Sequence, residues 1–229
     1  MAATGDVVRV DQVVRELGDQ LRALSIMNTE AVRSVRREFS RRLAAASAKT
    51  VIEIALRVLD EKSPMGRFIA YELVNCHRAA RTQVTTRHVQ SLGRGIDSWG
   101  AADCFACYVA GPAWREGQVP DRVIERWAKS PDQWWRRAAL VSTVPLNSKA
   151  RGGSGDVART LEICRRLVGD RNDMVVKAMS WALRELAKRD PKSVRWFLNE
   201  YDGQLAARVQ REVRNKLATG LKNPRKDRG

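Results

Sequence analysis

Trp99 and Asp103 stand four residues apart in the segment Ile96-Asp97-Ser98-Trp99-Gly100-Ala101-Ala102-Asp103. On a helix that spacing puts the indole and the carboxylate on one face. Cys104-Phe105-Ala106-Cys107-Tyr108-Val109 follows at once, a largely apolar run that must pack inward. An acid pinned between an indole and a buried helix body differs from an ordinary solubilising aspartate. Trp127, Trp134 and Trp135 with Arg136 and Arg137, and Trp181 come later in the chain. A carboxylate among indoles and guanidiniums suits a cationic or cation-forming group attached to a polyanion.

The charge balance points to the same class of partner. Forty-two Lys and Arg face 26 Asp and Glu, a formal net charge of +16 over 229 residues. That excess favours nucleic acid or an anionic membrane surface. No apolar run approaches the roughly 20 residues that a spanning helix needs. Met1 to Val8 lacks the apolar core of a signal peptide. The sequence therefore predicts a cytoplasmic, nucleoid-associated protein with nucleic acid as partner, and no membrane. Hydrophobic residues make up 44% of the chain, enough for a globular core. Cys76, Cys104, Cys107 and Cys164 form no disulfide framework at this length. Cys104 and Cys107 make a C-x-x-C, but there is no second pair and the only histidines are His77 and His88. No metal and no cofactor are expected, and the two cysteines read as small core residues.

The elements that must position these residues are helical. Valines and isoleucines fall at three- and four-residue spacing, without alternation. Val10, Val13, Val14, Leu17, Leu21 and Leu24 form one stripe. Further helices are expected from Asn28 or Thr29, over Thr50 to Leu59, from a Ser63-Pro64 cap through Tyr71 and Val74, and over Thr86 to Leu92. Ser98 caps the helix of Trp99 and Asp103, and Pro120 opens one from Val123 to Trp127. Ser130-Pro131-Asp132-Gln133 reads as a capping box that starts a helix to about Val144. Leu146 to Gly155 is a Gly-, Ser- and Lys-rich loop. Helices follow at 156–168, 173–189, 191–201 and 204–218.

About a dozen short helices in antiparallel pairs of roughly 35 to 45 residues mark an all-α chain and the signature of an α-solenoid, with an irregular helical bundle as the alternative because self-similarity between the units is weak. Residues 1–221 are expected as a single domain and 222–229 as a basic flexible tail. A solenoid lines one concave surface with its inner helices, here expected to be basic. On the helix at 173–189, Lys177, Trp181, Arg184 and Lys188 lie at spacings of four, three and four, a basic stripe around one indole. Val175, Val176, Met179, Leu183 and Leu186 supply its packing side.

Asp97 to Asp103, Trp134-Trp135-Arg136-Arg137-Ala138-Ala139-Leu140, and Lys177-Ala178-Met179-Ser180-Trp181-Ala182-Leu183-Arg184-Glu185 together resemble the AlkD-like DNA alkylation repair enzymes. The resemblance runs from about Leu24 to the last helix and is specific from Ile96 to Pro191. It implies HEAT-like repeats and excision of N3- and N7-alkylated purines by a monomer acting on double-stranded DNA. The acid of the family's W-x-x-x-D element is catalytic and falls on Asp103, beside Trp99. The arginine of its W-x-x-R-A-A element falls on Arg137, and the tryptophan of its K-A-x-x-W-x-L-R-E element on Trp181. Gly100 stands where the family often has a second acid, and the N-terminal helices match poorly.

The chemistry fits these residue types independently. Alkylation at N3 or N7 makes the purine cationic and a good leaving group. One carboxylate near the anomeric carbon can then stabilise an oxocarbenium-like sugar and orient water. Indole faces attract the cationic nucleotide, worth about 0.5–2 kcal/mol each, and an arginine fork suits a phosphate. Asp103 is the expected catalytic residue. Trp99, Arg137, Trp181, Arg136, Lys177, Arg184, Lys188 and Trp134 are the expected DNA-facing residues. Trp135 is expected to be buried, and Trp114, Trp127 and Trp196 to be packing residues; His77 and His88 receive no role. A lone Trp–Asp pair is more often an ordinary helix-surface pair, and the Arg137 and Trp181 contexts are what single out Asp103. Two other readings stand beside the first: a self-resistance glycosylase removing bulky N3-adenine adducts of a DNA-alkylating natural product, and a non-catalytic helical-repeat protein that binds nucleic acid or an acidic partner.

Overall fold

The structure is a computed structural model and describes residues 9–61 and 65–224. All its regular elements among these residues are helical, as the three- and four-residue periodicity requires. The chain divides into two compact units, Met1–Arg94 and Gly95–Gly229, where the sequence alone suggests one domain.

The first unit holds α1 (Val10–Arg22), α2 (Thr29–Arg42), α3 (Ala48–Asp60), α4 (Gly66–Cys76), α5 (Arg78–Gln83) and α6 (Thr86–Leu92). The apolar stripe of α3 packs on α1, α4, α5 and α6. Leu17, Leu21, Phe39, Ile54, Ile69 and Leu73 fill the core, each worth roughly 1.5–3 kcal/mol of burial. Caps set the boundaries. Asn28 accepts the Ala31 amide at 2.9 Å to start α2, and Ser47 accepts the Thr50 amide at 3.1 Å to start α3. Both histidines have structural work. His77 Nδ1 accepts the Ala80 amide at 3.1 Å, and His88 Nδ1 accepts the Thr85 amide at 3.3 Å in a capping box. The expected Ser63-Pro64 cap lies outside the described residues; α4 is entered through Met65 at φ 60°.

The second unit begins with α7 (Trp99–Phe105), which runs through a π-helical turn (Ala106–Ala110) into α8 (Gly111–Arg115). Next come α9 (Asp121–Ala128), α10 (Gln133–Val141), α11 (Val144–Asn147), a 3₁₀ turn (Lys149–Arg151), α12 (Val157–Arg166), α13 (Asp173–Leu186), α14 (Pro191–Glu200) and α15 (Ala207–Thr219). Packing runs α7 to α10 to α13 to α15 in one row, with α9 and α12 in contact behind it and α14 against α13 and α15. This is the two-layer logic of a solenoid: each helix buries its stripe on the next repeat.

Several boundaries differ from expectation. Asp132, not Ser130, caps α10, accepting the Trp134 amide at 2.8 Å. Ser130 instead accepts the Asp132 amide at 3.2 Å and closes the preceding turn. Helix α13 ends at Leu186, so Lys188 lies in the turn toward Asp190, which caps α14. In the expected loop at 146–155, Asn147 is buried, donating to Thr143 O at 2.9 Å and Thr160 Oγ1 at 2.8 Å. Of the expected flexible tail, Lys222 lies 3.5 Å from Glu212, and residues 225–229 lie outside the described residues.

The π turn has an identifiable cause. Proline at 112 has no N–H, and its ring would clash with the carbonyl four residues back in a regular helix. The wider turn absorbs this, the Gly111 amide reaching back to Ala106 O. Gly111 is also where the helix presses on the end of α10: an added Cβ would lie 2.7 Å from Ser142 O and 2.8 Å from Pro145 Cγ. Gly100, by contrast, faces open space. Gly111→Ala should therefore destabilise by about 1–3 kcal/mol, whereas Gly100→Ala should be neutral or stabilise by up to about 1 kcal/mol. Urea melts of the two variants check this, and equal midpoints would contradict it.

Candidate active site

Three helices of one row meet at Asp103. It lies on α7, one turn after Trp99, with Ser98 accepting the Ala101 amide at 3.3 Å to start the helix. Arg137, on α10, approaches it with both arms of its fork. Its Nε donates to one carboxylate oxygen and its Nη2 to the other, each at 2.8 Å. Its Nη1 donates to the Met174 carbonyl in the first turn of α13 at 2.5 Å. The side chains are 7% and 17% exposed, so both ends of the pair are largely removed from water.

Burial pushes the Asp103 carboxyl above its ordinary value, while the hydrogen bonds and charge of Arg137 pull the other way. The result is an acid less comfortable as an anion than a surface aspartate, kept in place by one guanidinium. Two residues further along the helix, Phe105 meets Trp135 edge-on at 5.9 Å and Trp127 at 5.7 Å, and the two indoles lie 4.9 Å apart. Trp135 thus packs in an aromatic cluster, yet it is half-buried like Trp134, so burial does not separate the two as expected. Trp99 is 61% exposed, whereas Trp134 and Trp181 are half-buried.

Other expected DNA-facing cations are less available than their spacing suggests. Arg137 has each nitrogen of its fork engaged inside the fold and its side chain is 7% exposed. Arg136 donates to Asp170 at 2.7 Å and to the Ser130 and Pro131 carbonyls at 2.9 and 2.8 Å. It staples the start of α10 and does not stand free as a surface charge. Lys177 pairs with Asp173 at 2.6 Å, and Lys188 with Glu185 at 2.7 Å. Arg184 donates to Ser180 Oγ at 3.1 Å, and that hydroxyl is held by Glu212 at 2.6 Å. Trp114 and Trp127 are packing residues as expected. Trp196 is not: α14 buries Val194, Phe197 and Leu198, and residue 196 falls off that stripe, 57% exposed.

Cys107 and Cys164 are buried, and burial pushes the Cys107 thiol up to about 12, that of a neutral packing group. Cys104 is partly exposed. Among the described residues no cluster of three metal-ligating side chains occurs, and no helix is long and apolar enough to cross a membrane.

The profile of the DNA alkylation repair enzyme family matches residues 11–217. The chain belongs to that family. No curated protein and no solved structure matches it significantly. The family assignment gives it a role in the repair of alkylated DNA and covers both compact units, including the N-terminal helices where the sequence motifs are weakest. Within this alkylation repair protein, sequence spacing singled out Asp103, Trp99 and Arg137 without indicating that Arg137 grips Asp103. The Met174 carbonyl and the cluster of Phe105, Trp127 and Trp135 carry no sequence motif.

Asp103 and Arg137 make a stability prediction. The folded carboxyl of Asp103 titrates above its ordinary value. Its contribution to stability is therefore present below the ordinary carboxylate range and is lost as pH rises through the raised folded value. Arg137 offsets that loss. Arg137→Ala leaves the carboxylate uncompensated and should cost about 3–5 kcal/mol at neutral pH. The deficit should shrink as the pH is lowered and Asp103 takes up its proton. Urea unfolding at several pH values measures it; a pH-independent deficit would assign the loss to packing alone.

Proposed function

We propose that this chain is a DNA glycosylase that hydrolyses the N-glycosidic bond of cationic N3- and N7-alkylated purines in duplex DNA. The observation that carries this reading is a largely buried carboxylate, gripped at two points by Arg137, one helical turn from an exposed indole. A protein that only bound phosphates would gain nothing from burying an acid there, since the acid repels the backbone.

The chemistry follows from the charges. The alkylated purine carries its positive charge before reaction, so the bond from its nitrogen to the anomeric carbon breaks with the electron pair leaving on the base. The base departs neutral and the sugar is left oxocarbenium-like. A fixed carboxylate stabilises that cation without reorganising at the moment of reaction. Each Asp103 oxygen accepts one hydrogen bond from Arg137, which leaves further lone pairs free for a water. Water then adds to the anomeric carbon and releases a proton, giving an abasic site. Trp99, with Trp181 and Trp134 on the neighbouring helices of the row, supplies faces for the cationic nucleotide. Trp99 is exposed at the start of a helix, which suits a nucleotide approached from outside and left within the duplex.

Gly100 favours a second reading within the first. A side chain there would meet only open space, so nothing crowds the approach between Trp99 and the solvent. Bulky N3-adenine adducts of a DNA-alkylating natural product are accordingly expected substrates, as for a self-resistance glycosylase. Incubation with duplex DNA carrying 7-methylguanine, 3-methyladenine or a bulky N3-adenine adduct, scored for abasic sites, tests the proposal. Asp103→Asn should lower single-turnover excision by at least about 10²-fold while duplex binding persists. The acid limb of the wild-type rate should lie above the ordinary aspartate range, because burial raises the group that must be ionised. Near-wild-type excision by Asp103→Asn, or faster release of neutral hypoxanthine or uracil than of a cationic adduct, would overturn the mechanism.

A further inference from the structure

Arg137 and Arg136 spend their donors inside the fold, and Lys177 and Lys188 each face a carboxylate within one helical turn. Arg151 is different. Its guanidinium lies over the Tyr108 ring, 5.3 Å from the centroid. Among the described residues its side chain forms no ion pair and donates no hydrogen bond. Tyr108 lies in the π turn that continues the Asp103 helix, five residues beyond the carboxylate. Cys107, the residue before Tyr108, is buried in the same turn.

The segment carrying Arg151 is built, not loose. Arg115 Nη1 donates to the Pro145 carbonyl at 3.1 Å and the Arg151 carbonyl at 2.6 Å. From the other side Arg189 donates to Asn147 O at 2.7 Å and Gly153 O at 2.9 Å. Gly152 and Gly155 take φ values of 82° and 113°, a region open to glycine. A Cβ on Gly153 would overlap the Pro145 carbonyl, so that position admits no side chain. Buried Asn147 accepts the Asp156 amide at 3.0 Å and closes the loop. None of these ties uses the side chain of Arg151 or Lys149, so a half-buried guanidinium and an exposed ammonium sit on a fixed frame.

We propose that Arg151, seated on Tyr108 and flanked by Lys149, grips a backbone phosphate of duplex DNA beside the Asp103 site. A planar fork already parked on an aromatic ring loses little rotamer freedom on meeting a phosphate. The contact takes the part that the sequence assigned to Arg137, whose fork is committed to the acid. Its position beside a lesion rests on the glycosylase reading; its affinity for DNA does not.

Binding of undamaged duplex as a function of salt separates the two. Arg151→Ala should weaken binding about tenfold and lower the slope of log K against log salt by about 0.9, one phosphate. Arg151→Lys should keep the slope and lose only about two- to threefold in affinity, because the charge remains and the stacked fork does not. Arg122→Ala, an exposed cation on α9 in the other row, should change neither. The loop is tied through the Arg151 carbonyl and not its side chain, so Arg151→Ala should retain the wild-type melting midpoint, which reports that the loss is not misfolding. An unchanged slope for Arg151→Ala, or an equal drop for Arg122→Ala, would overturn the proposal. If wild-type protein yields no abasic sites while Arg151→Ala still loses one phosphate, the glycosylase reading fails and this contact stands.

Discussion

The two-point grip of Arg137 on Asp103 is the constraint around which the second unit is organised. It joins α7 to α10, and the third arm of the same guanidinium reaches the first turn of α13. One side chain therefore ties three consecutive helices of the packing row at the depth where water is largely excluded. In such a setting each member depends on the other. Neither charge is well solvated alone, and the pair is tolerable because the fork geometry matches the carboxylate. The same coupling keeps the acid pointing one way, which is what a fixed electrostatic stabiliser requires.

Charge in this protein is therefore less a field than a set of partnerships. The formal excess of +16 suggests a broadly basic surface. Yet the stripe around Trp181 consists of cations with partners: Lys177 on Asp173, Lys188 on Glu185, Arg184 on the Ser180 hydroxyl backed by Glu212. Exposed pairs of this kind contribute little stability, typically under about 1 kcal/mol. They can also exchange partners when a polyanion arrives, since phosphate competes for the same ammonium. Arg151 needs no such exchange.

Helices were legible because their signal is local and repeated. The α6 bounds, the Asn28 and Ser98 caps and the start of α14 at residue 191 follow from periodicity and cap chemistry. Asp103 and Trp99 could be found because a helix fixes which residues share a face. What the sequence concealed were relations across elements. Nothing in the spacing of Trp134-Trp135-Arg136-Arg137 says that the last arginine turns inward to Asp103 while its neighbour staples a turn to Asp170. Trp196 was misjudged because residue type suggests burial, whereas its position relative to Val194, Phe197 and Leu198 decides it. The loop at 146–155 read as polar filler for a similar reason. Its order comes from Arg115 and Arg189, more than thirty residues away in each case.

The π turn at Ala106–Ala110 amounts to an α-helix with one residue too many. Everything upstream, including Trp99 and Asp103, is set in one angular phase, and everything downstream, from Gly111 to Arg115, in another. Wound as a regular α-helix, the same residues would turn one half against the other by about 100°. Either the carboxylate would swing off its guanidinium or Gly111 would swing off the end of α10. The wide turn thus acts as a phase adjuster: Asp103 meets Arg137 and Gly111 meets the end of α10 together only while the turn stays wide.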